Sequence, residues 1–253
     1  MPNPTTQSIL VGLSGPTSSG KTTISSALAT ALPTSDFLLL HADDFYKPDS
    51  AIPIHQSGVP DWDCADSLDL PRFRRTLIDL KAGGNVPDKL QKQGGASDGV
   101  HASLSGIGNE YVEKLQVELQ PLQAALRGKR LIIIEGFLLF GSGVKDQLAG
   151  LFDLGILLRA TRQAAKRRRE SRNGYVTLEG FWQDPEGYFD TVVWPNYVRE
   201  HASWFEGGDV EGKPKESRDG EEILMGPVED ASLEDVCSWV VGCLRDFVNA
   251  GRL

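Results

Sequence analysis

Gly15-Pro16-Thr17-Ser18-Ser19-Gly20-Lys21-Thr22 satisfies the pattern G-x-x-x-x-G-K-[ST] in full, and few backbone paths accommodate that spacing. The glycines let the chain wrap tightly enough for successive N–H groups to point at one set of phosphate oxygens. A helix must open where the loop ends, so that its positive pole adds to the same field. The flanks agree. Ile9–Leu13 is a short apolar run that reads as a buried strand, and Thr22–Leu32 reads as a helix with Ile24, Leu28 and Leu32 on one face. Gly15 through Thr23 are therefore expected to hold a nucleoside triphosphate, with Lys21 reaching the β- and γ-phosphates and the Thr22 hydroxyl serving as a Mg²⁺ ligand. The loop fixes nucleotide binding and leaves the reaction open, because switches, motors and small-molecule kinases share it.

The remaining apolar runs place the loop in a fold. Phe37–Leu40 ends at His41-Ala42-Asp43-Asp44, Leu131–Ile134 ends at Glu135, and Leu154–Leu158 ends at Arg159. Short continuous runs alternating with helical patterns predict an α/β fold, a P-loop NTPase-type parallel β-sheet with helices on both faces. Pro71–Leu80 reads as a helix. Leu233–Val248 reads as an amphipathic helix that buries Val236, Val240, Val241, Leu244 and Val248. Gln93–Gly108 carries five glycines among Ser, Ala and Asp and is expected to be a flexible insertion. Glu206–Gly220 reads as a charged loop. With no internal repeat, the 253 residues are expected to form one domain over 1–253.

Charge and composition narrow the partners. Thirty-five acids against 26 bases give a net charge of −9, which argues against a general nucleic-acid binder. The first eight residues lack a basic region followed by an apolar run, and no stretch approaches the roughly 20 apolar residues of a membrane helix. Cys64, Cys237 and Cys243 show neither paired nor metal-ligand spacing, so they are expected to be free thiols in a reducing compartment. The expectation is a cytoplasmic protein, with nuclear access left open, acting on a small molecule as a monomer or homodimer, without nucleic-acid or membrane partners.

In open α/β sheets, ligands bind beyond the carboxyl ends of the strands, and Asp43, Asp44 and Glu135 all follow strand ends. A carboxylate there can bind Mg²⁺ or accept the proton of an attacking hydroxyl. Neighbours on an extended chain point to opposite sides, so only one of Asp43 and Asp44 is expected to face the phosphates. Helix capping is the competing reading for each acid. Arg162, Lys166, Arg167, Arg168, Arg169 and Arg172 crowd a segment whose one acid is Glu170. Lys166, Arg169 and Arg172 share one helical face, and a triphosphate opposite them would relieve their repulsion. That predicts a basic lid over 161–176. A solvated face and a nuclear-import or nucleic-acid patch are the alternatives.

These strings resemble the nicotinamide riboside kinases, a family of uridine-kinase-like P-loop kinases, in the fungal form with an insertion. The resemblance is carried by Gly12 to Thr23, Asp43-Asp44-Phe45-Tyr46-Lys47-Pro48, Ile134-Glu135-Gly136-Phe137-Leu138-Leu139-Phe140, Lys166-Arg167-Arg168-Arg169, and Gly187-Tyr188-Phe189-Asp190 followed by Trp194-Pro195. It covers most of Ile9–Tyr197. It implies ATP and Mg²⁺ as cofactors and a nucleoside acceptor. Lys21, Asp43 and Glu135 are implied as catalytic residues, with Asp43 the general base, and Thr22, Asp43 and Glu135 as metal ligands. Arg168 and Arg172 are implied near ATP. Asp43, Phe45, Tyr46, Trp62, Asp63, Arg169 and Tyr175 are implied at the acceptor. Among these, Trp62 would stack on the pyridine, Asp63 and Arg169 would hold ribose hydroxyls, and Tyr175 would form a second aromatic wall.

Two departures stand out. Asn173 and Gly174 both separate Arg172 from Tyr175, where the relatives have one residue, and Trp62 replaces a tyrosine. The chemistry is consistent without the family: an aromatic cage suits a flat pyridinium cation, and a carboxylate suits a vicinal diol. A core aromatic is the competing reading of Trp62, and a helix cap that of Asp63. A uridine, cytidine or pantothenate kinase on the same fold is the alternative enzyme, and an ATP-binding regulatory module the alternative outside enzymes. A guanine-reading Asn-Lys-x-Asp string is absent from the sequence.

Overall fold

The computed structural model describes residues 7–32, 37–86, 107–126, 128–216, 222–227 and 231–251. β1 (Gln7–Ser14) runs into the glycine loop and α1 (Lys21–Ala31). β2 (Phe37–His41), α2 (Leu70–Lys81), α3 (Asn109–Glu118) and α4 (Gln120–Ala125) lead to β3 (Lys129–Glu135). The one-turn α5 (Lys145–Leu148) and β4 (Leu154–Leu157) precede α6 (Arg162–Glu170). β5 (Tyr175–Val176) and β6 (Phe181–Trp182) pair as an antiparallel hairpin, and a π-helical turn at Phe189–Val193 continues into α7 (Trp194–His201). β7 (Leu224–Met225) and α8 (Leu233–Asn249) follow. The central sheet has the order β2-β3-β1-β4-β7 and is parallel throughout.

The strands are apolar on both faces because both faces are covered. Ile9, Val11, Leu13, Leu131 and Ile133 point to one side, where they pack with α1, α3, α4 and α8. Leu10, Ile132 and Ile134 point to the other, against Phe73, Leu77 and Leu80 of α2 and Leu148 of α5. Each such side chain contributes roughly 1.5–3 kcal/mol through burial. A third cluster, with Tyr188, Phe189, Val192, Trp204 and Phe205, packs Ala165 of α6 against the π-turn and α7.

The expected strands and helices are present, with ends shifted by one or two residues. Val240, Val241 and Leu244 are buried on α8 as expected, and Cys237, Cys243 and Phe247 join them, while Val236 and Val248 are only partly covered. A capping box formed by Ser232 and Asp235 starts this helix. α3 and α4 escape the sequence reading, although Tyr111, Leu115, Leu119 and Leu122 mark a helical stripe; Pro121 and the glycine-rich stretch before them obscure the period. The insertion expected over 93–108 lies outside the described residues, apart from Ile107 and Gly108. The expected loop over 206–220 is structured as far as 216. Glu206 N–H donates to the Lys213 carbonyl, Phe205 bridges Pro214, and the Arg159 guanidinium donates to the Val210 and Gly212 carbonyls. Residues 217–220 lie outside the described chain.

Candidate active site

β1, β2 and β3 end at the same sheet edge, delivering the glycine loop, the Asp43 turn and Glu135 to one cavity of about 560 Å³. Gly15 sits so close to the end of β4 that a Cβ there would lie 2.7 Å from the Leu158 carbonyl oxygen, so this turn admits no side chain. No side chain caps the start of α1, which leaves its first N–H groups free for an anion. The Ser18 and Ser19 hydroxyls are buried without a partner among the described residues, as a loop built around phosphate oxygens requires. Lys21 Nζ donates to the Gly15 and Pro16 carbonyls at 3.0 and 2.8 Å. Burial lowers its pKa to about 8, opposed by the nearby charges of Glu135 and Asp43.

The carboxylates are close enough to feel one another. Glu135 Oε1 accepts from Thr22 Oγ1 at 2.9 Å and from His41 Nδ1 at 2.6 Å. Burial alone would raise the Glu135 pKa; its bond to His41, and the charges of His41 and Lys21, hold it below the usual value. The reverse effect lifts His41 to about 9 against its own burial. Asp43 goes the other way. Desolvation by the surrounding protein, chiefly, and then the Glu135 charge push it up to about 6, although the residue as a whole is exposed at the cavity. Two neighbouring acids with pKa values driven apart are the arrangement that separates a base from a permanent charge. Both Asp43 and Asp44 line the cavity. The expectation that they face opposite ways is corrected by Ala42–Phe45 forming a 3₁₀ turn rather than extended chain, which rotates successive residues by about 120°. Asp43 shares its field with Lys21, whereas Asp44 interacts with His41, Glu135 and Arg72. The same turn sends Phe45 into the core, fully buried against Phe73, so the structure does not bring Phe45 to the cavity.

The cavity is in part aromatic. Tyr46, Trp62, Phe137, Tyr175 and Trp182 line it, with Tyr46 edge-on to Trp62 at 5.4 Å and Trp62 tilted against Trp182 at 6.0 Å. Asp63 and Arg169 line the same cavity, joined by two parallel hydrogen bonds of 2.8 and 3.0 Å, with the guanidinium over the Tyr175 ring at 5.3 Å. Asp184 grips the same guanidinium through Arg169 Nε at 2.7 Å and accepts from Trp182 Nε1 at 2.9 Å. Burial raises Asp63, and Arg169 opposes it. The two carboxylates keep Arg169 protonated despite its burial.

The motif strings have physical jobs. Tyr188 Oη accepts from Trp62 N–H and donates to the Pro60 carbonyl, both at 3.0 Å, which pins the Trp62 segment. Asn196 Nδ2 donates to both oxygens of Asp61, and Asp61 Oδ1 accepts from Asp63 N–H. Asp190 takes Arg162 at 2.6 Å and also Lys166, tying α6 to the π-turn. The predicted basic face therefore divides. Lys166 pairs with Asp190 and Arg169 with Asp63 and Asp184, while Arg172 lines the cavity and Arg168 Nη1 reaches the Ser18 carbonyl at 3.4 Å.

The β5–β6 hairpin was not legible beforehand. It brings Tyr175 opposite Trp182 and is fastened across the cavity mouth, where Thr177 Oγ1 donates to Asp49 Oδ2 at 2.6 Å. The structure shows why position 174, before Tyr175, is a glycine. Gly174 has φ +105°, and a Cβ would meet the Phe181 ring at 2.4 Å and the Trp182 carbonyl at 2.6 Å. Gly174→Ala is expected to cost roughly 1–3 kcal/mol, lowering Tm by about 2–4 °C per kcal/mol, and to raise the acceptor KM several-fold. Calorimetry and steady-state kinetics check this; unchanged Tm and KM would show that the hairpin adjusts freely.

Among the described residues no helix is long and apolar enough to cross a membrane. No family model matches the chain. Curated relatives do. The chain is 35% identical to the nicotinamide riboside kinase of Schizosaccharomyces pombe, covering 95% of this chain and 97% of that one. It is 36% identical to the enzyme of that name from Eremothecium gossypii, over 81% and 80% of the two chains. It is 34% identical to that from Saccharomyces cerevisiae, over 92% and 93%.

Proposed function

The chain belongs to the nicotinamide riboside kinase family, and from that premise we propose that it transfers the γ-phosphoryl group of ATP to the ribose 5′-hydroxyl of nicotinamide riboside, giving the mononucleotide that feeds NAD synthesis. The observation that carries this reading is that one cavity is lined by the glycine loop, by five aromatic rings and by the bidentate Asp63–Arg169 pair. That combination supplies groups for a phosphate donor, a ribose diol and a flat cationic base.

Asp43 takes the 5′-hydroxyl proton as the oxygen attacks the γ-phosphorus and the bond to the bridging oxygen of ADP breaks. Lys21 and the α1 N-terminus stabilise negative charge on the transferring group. Arg168 and Arg172 close over the triphosphate. Asp63 accepts from the ribose diol, in an orientation fixed by Arg169. Thr22, Asp43 and Glu135 would hold the magnesium ion. Their donors are hard oxygens, and the Thr22 hydroxyl gives its proton to Glu135, leaving lone pairs for a cation. Among the described residues no three His, Cys, Asp or Glu side chains form a metal site by themselves. When bound, such an ion neutralises charge on the phosphate oxygens.

The test is ATP consumption and product mass with nicotinamide riboside, its acid form, 2′-deoxy analogues, uridine, cytidine and pantothenate. The pyridine ribosides should lead, and 2′-deoxy analogues should fall at least about tenfold in kcat/KM, because each lost hydroxyl leaves a desolvated lone pair worth about 1–3 kcal/mol. Preference for uridine or pantothenate would overturn the acceptor assignment.

A further inference from the structure

We infer that His41 is a positioning residue for Glu135, locking one carboxylate oxygen so that the other is presented to the cavity; this rests on the kinase reading above. His41 is the last residue of β2 and lies directly opposite Glu135 in the parallel ladder with β3. The pairing places the imidazole behind the carboxylate. His41 does not line the cavity, whereas Glu135 does. His41 Nδ1 and Thr22 Oγ1 both reach the same oxygen, Oε1, at 2.6 and 2.9 Å. No described group donates to Oε2.

A carboxylate oxygen only accepts, so Nδ1 carries the proton in this contact whatever the state of Nε2. Glutamate has several rotatable bonds, and two convergent donors remove the freedom that an isolated side chain would have to lose on meeting a ligand. Thr22 is itself a cavity-lining residue and is assigned to the cation, so its hydroxyl is not a dedicated anchor. His41 supplies the anchor from outside the cavity lining.

The Nδ1 geometry gives a discriminating test. In His41→Asn the amide nitrogen takes the place of Nδ1, whereas in His41→Gln it takes the place of Nε2. Manganese affinity would be measured by electron paramagnetic resonance on enzyme with a non-hydrolysable ATP analogue, alongside kcat and KM for the riboside. His41→Ala and His41→Gln should lose about 10- to 100-fold in cation affinity, the usual consequence of removing a group that orients a metal ligand. Their kcat should fall by a similar factor, with riboside KM within a few-fold of wild type. His41→Asn should stay within about threefold of wild type in cation affinity. Wild-type cation affinity in folded His41→Gln, or equal damage in the Asn and Gln variants, would overturn the inference. If His41→Ala does not fold, the Asn and Gln pair decides alone. The manganese measurement needs no riboside turnover, so failure of the acceptor assignment would leave the role of His41 testable.

Discussion

Lys21→Ala should leave a folded protein that turns over at least about a thousandfold more slowly, a loss near 4 kcal/mol of transition-state stabilisation. The side chain is buried at the floor of the cavity, and its neighbours are the Gly15 and Pro16 carbonyls and the fields of Glu135 and Asp43. Burial lowers its pKa to about 8, so the ammonium is held where water screens it little and its charge acts at full strength on a phosphoryl group. Removing it also removes a desolvation cost, which is why the fold should survive. The measurement is single-turnover phosphoryl transfer together with Tm. Near-normal transfer would mean that the nucleotide lies elsewhere.

Asp43→Asn should lose about 10²- to 10⁴-fold in kcat, the range for a positioned general base. The amide keeps the shape but cannot take the proton. Asp44→Asn should lose much less, because Asp43 and not Asp44 shares its field with Lys21. A pH dependence follows. The carboxyl of Asp43 is raised to about 6 by its surroundings and by Glu135, and a base works only when deprotonated. Wild-type kcat/KM should therefore climb with pH and level off above a midpoint at or below about 6, since a bound cation can only lower it further. In Asp43→Asn this acid limb should vanish along with most of the rate. An intact limb in Asp43→Asn, or a dead Asp44→Asn, would reassign the base.

The parts of this site that the sequence made legible are those fixed by local chain geometry. The glycine loop needs eight contiguous residues, and Glu135 follows an uninterrupted apolar strand. Asp43 was found for the same reason, but the facing of its neighbours was not, because a single 3₁₀ turn replaces the two-residue period with a three-residue one and carries Phe45 inward. Trp62 and Asp63 sit on irregular chain with no period at all, so only the family resemblance pointed to them. Trp182 and Asp184 had no signal. Their hairpin has two residues per strand, too few to show alternation, and what orients them is Arg169, on a separate element. His41 read as the end of a strand, since a cross-strand partner that is 94 residues away leaves no local mark.

The seating of Arg169 has a thermodynamic consequence. This residue belongs to the helix that carries Arg168 toward the phosphate loop, yet its own head group is bolted to the acceptor wall through Asp63 and Asp184. Under the proposed function, a tilt of this helix toward nucleotide would also move the guanidinium that orients the carboxylate assigned to the sugar. The two ligands would thereby be energetically linked, and linkage of this kind is reciprocal. The factor by which nucleotide changes the dissociation constant of the riboside must equal the factor by which the riboside changes that of the nucleotide. A helix of nine residues would then be the medium through which each substrate senses whether the other has arrived.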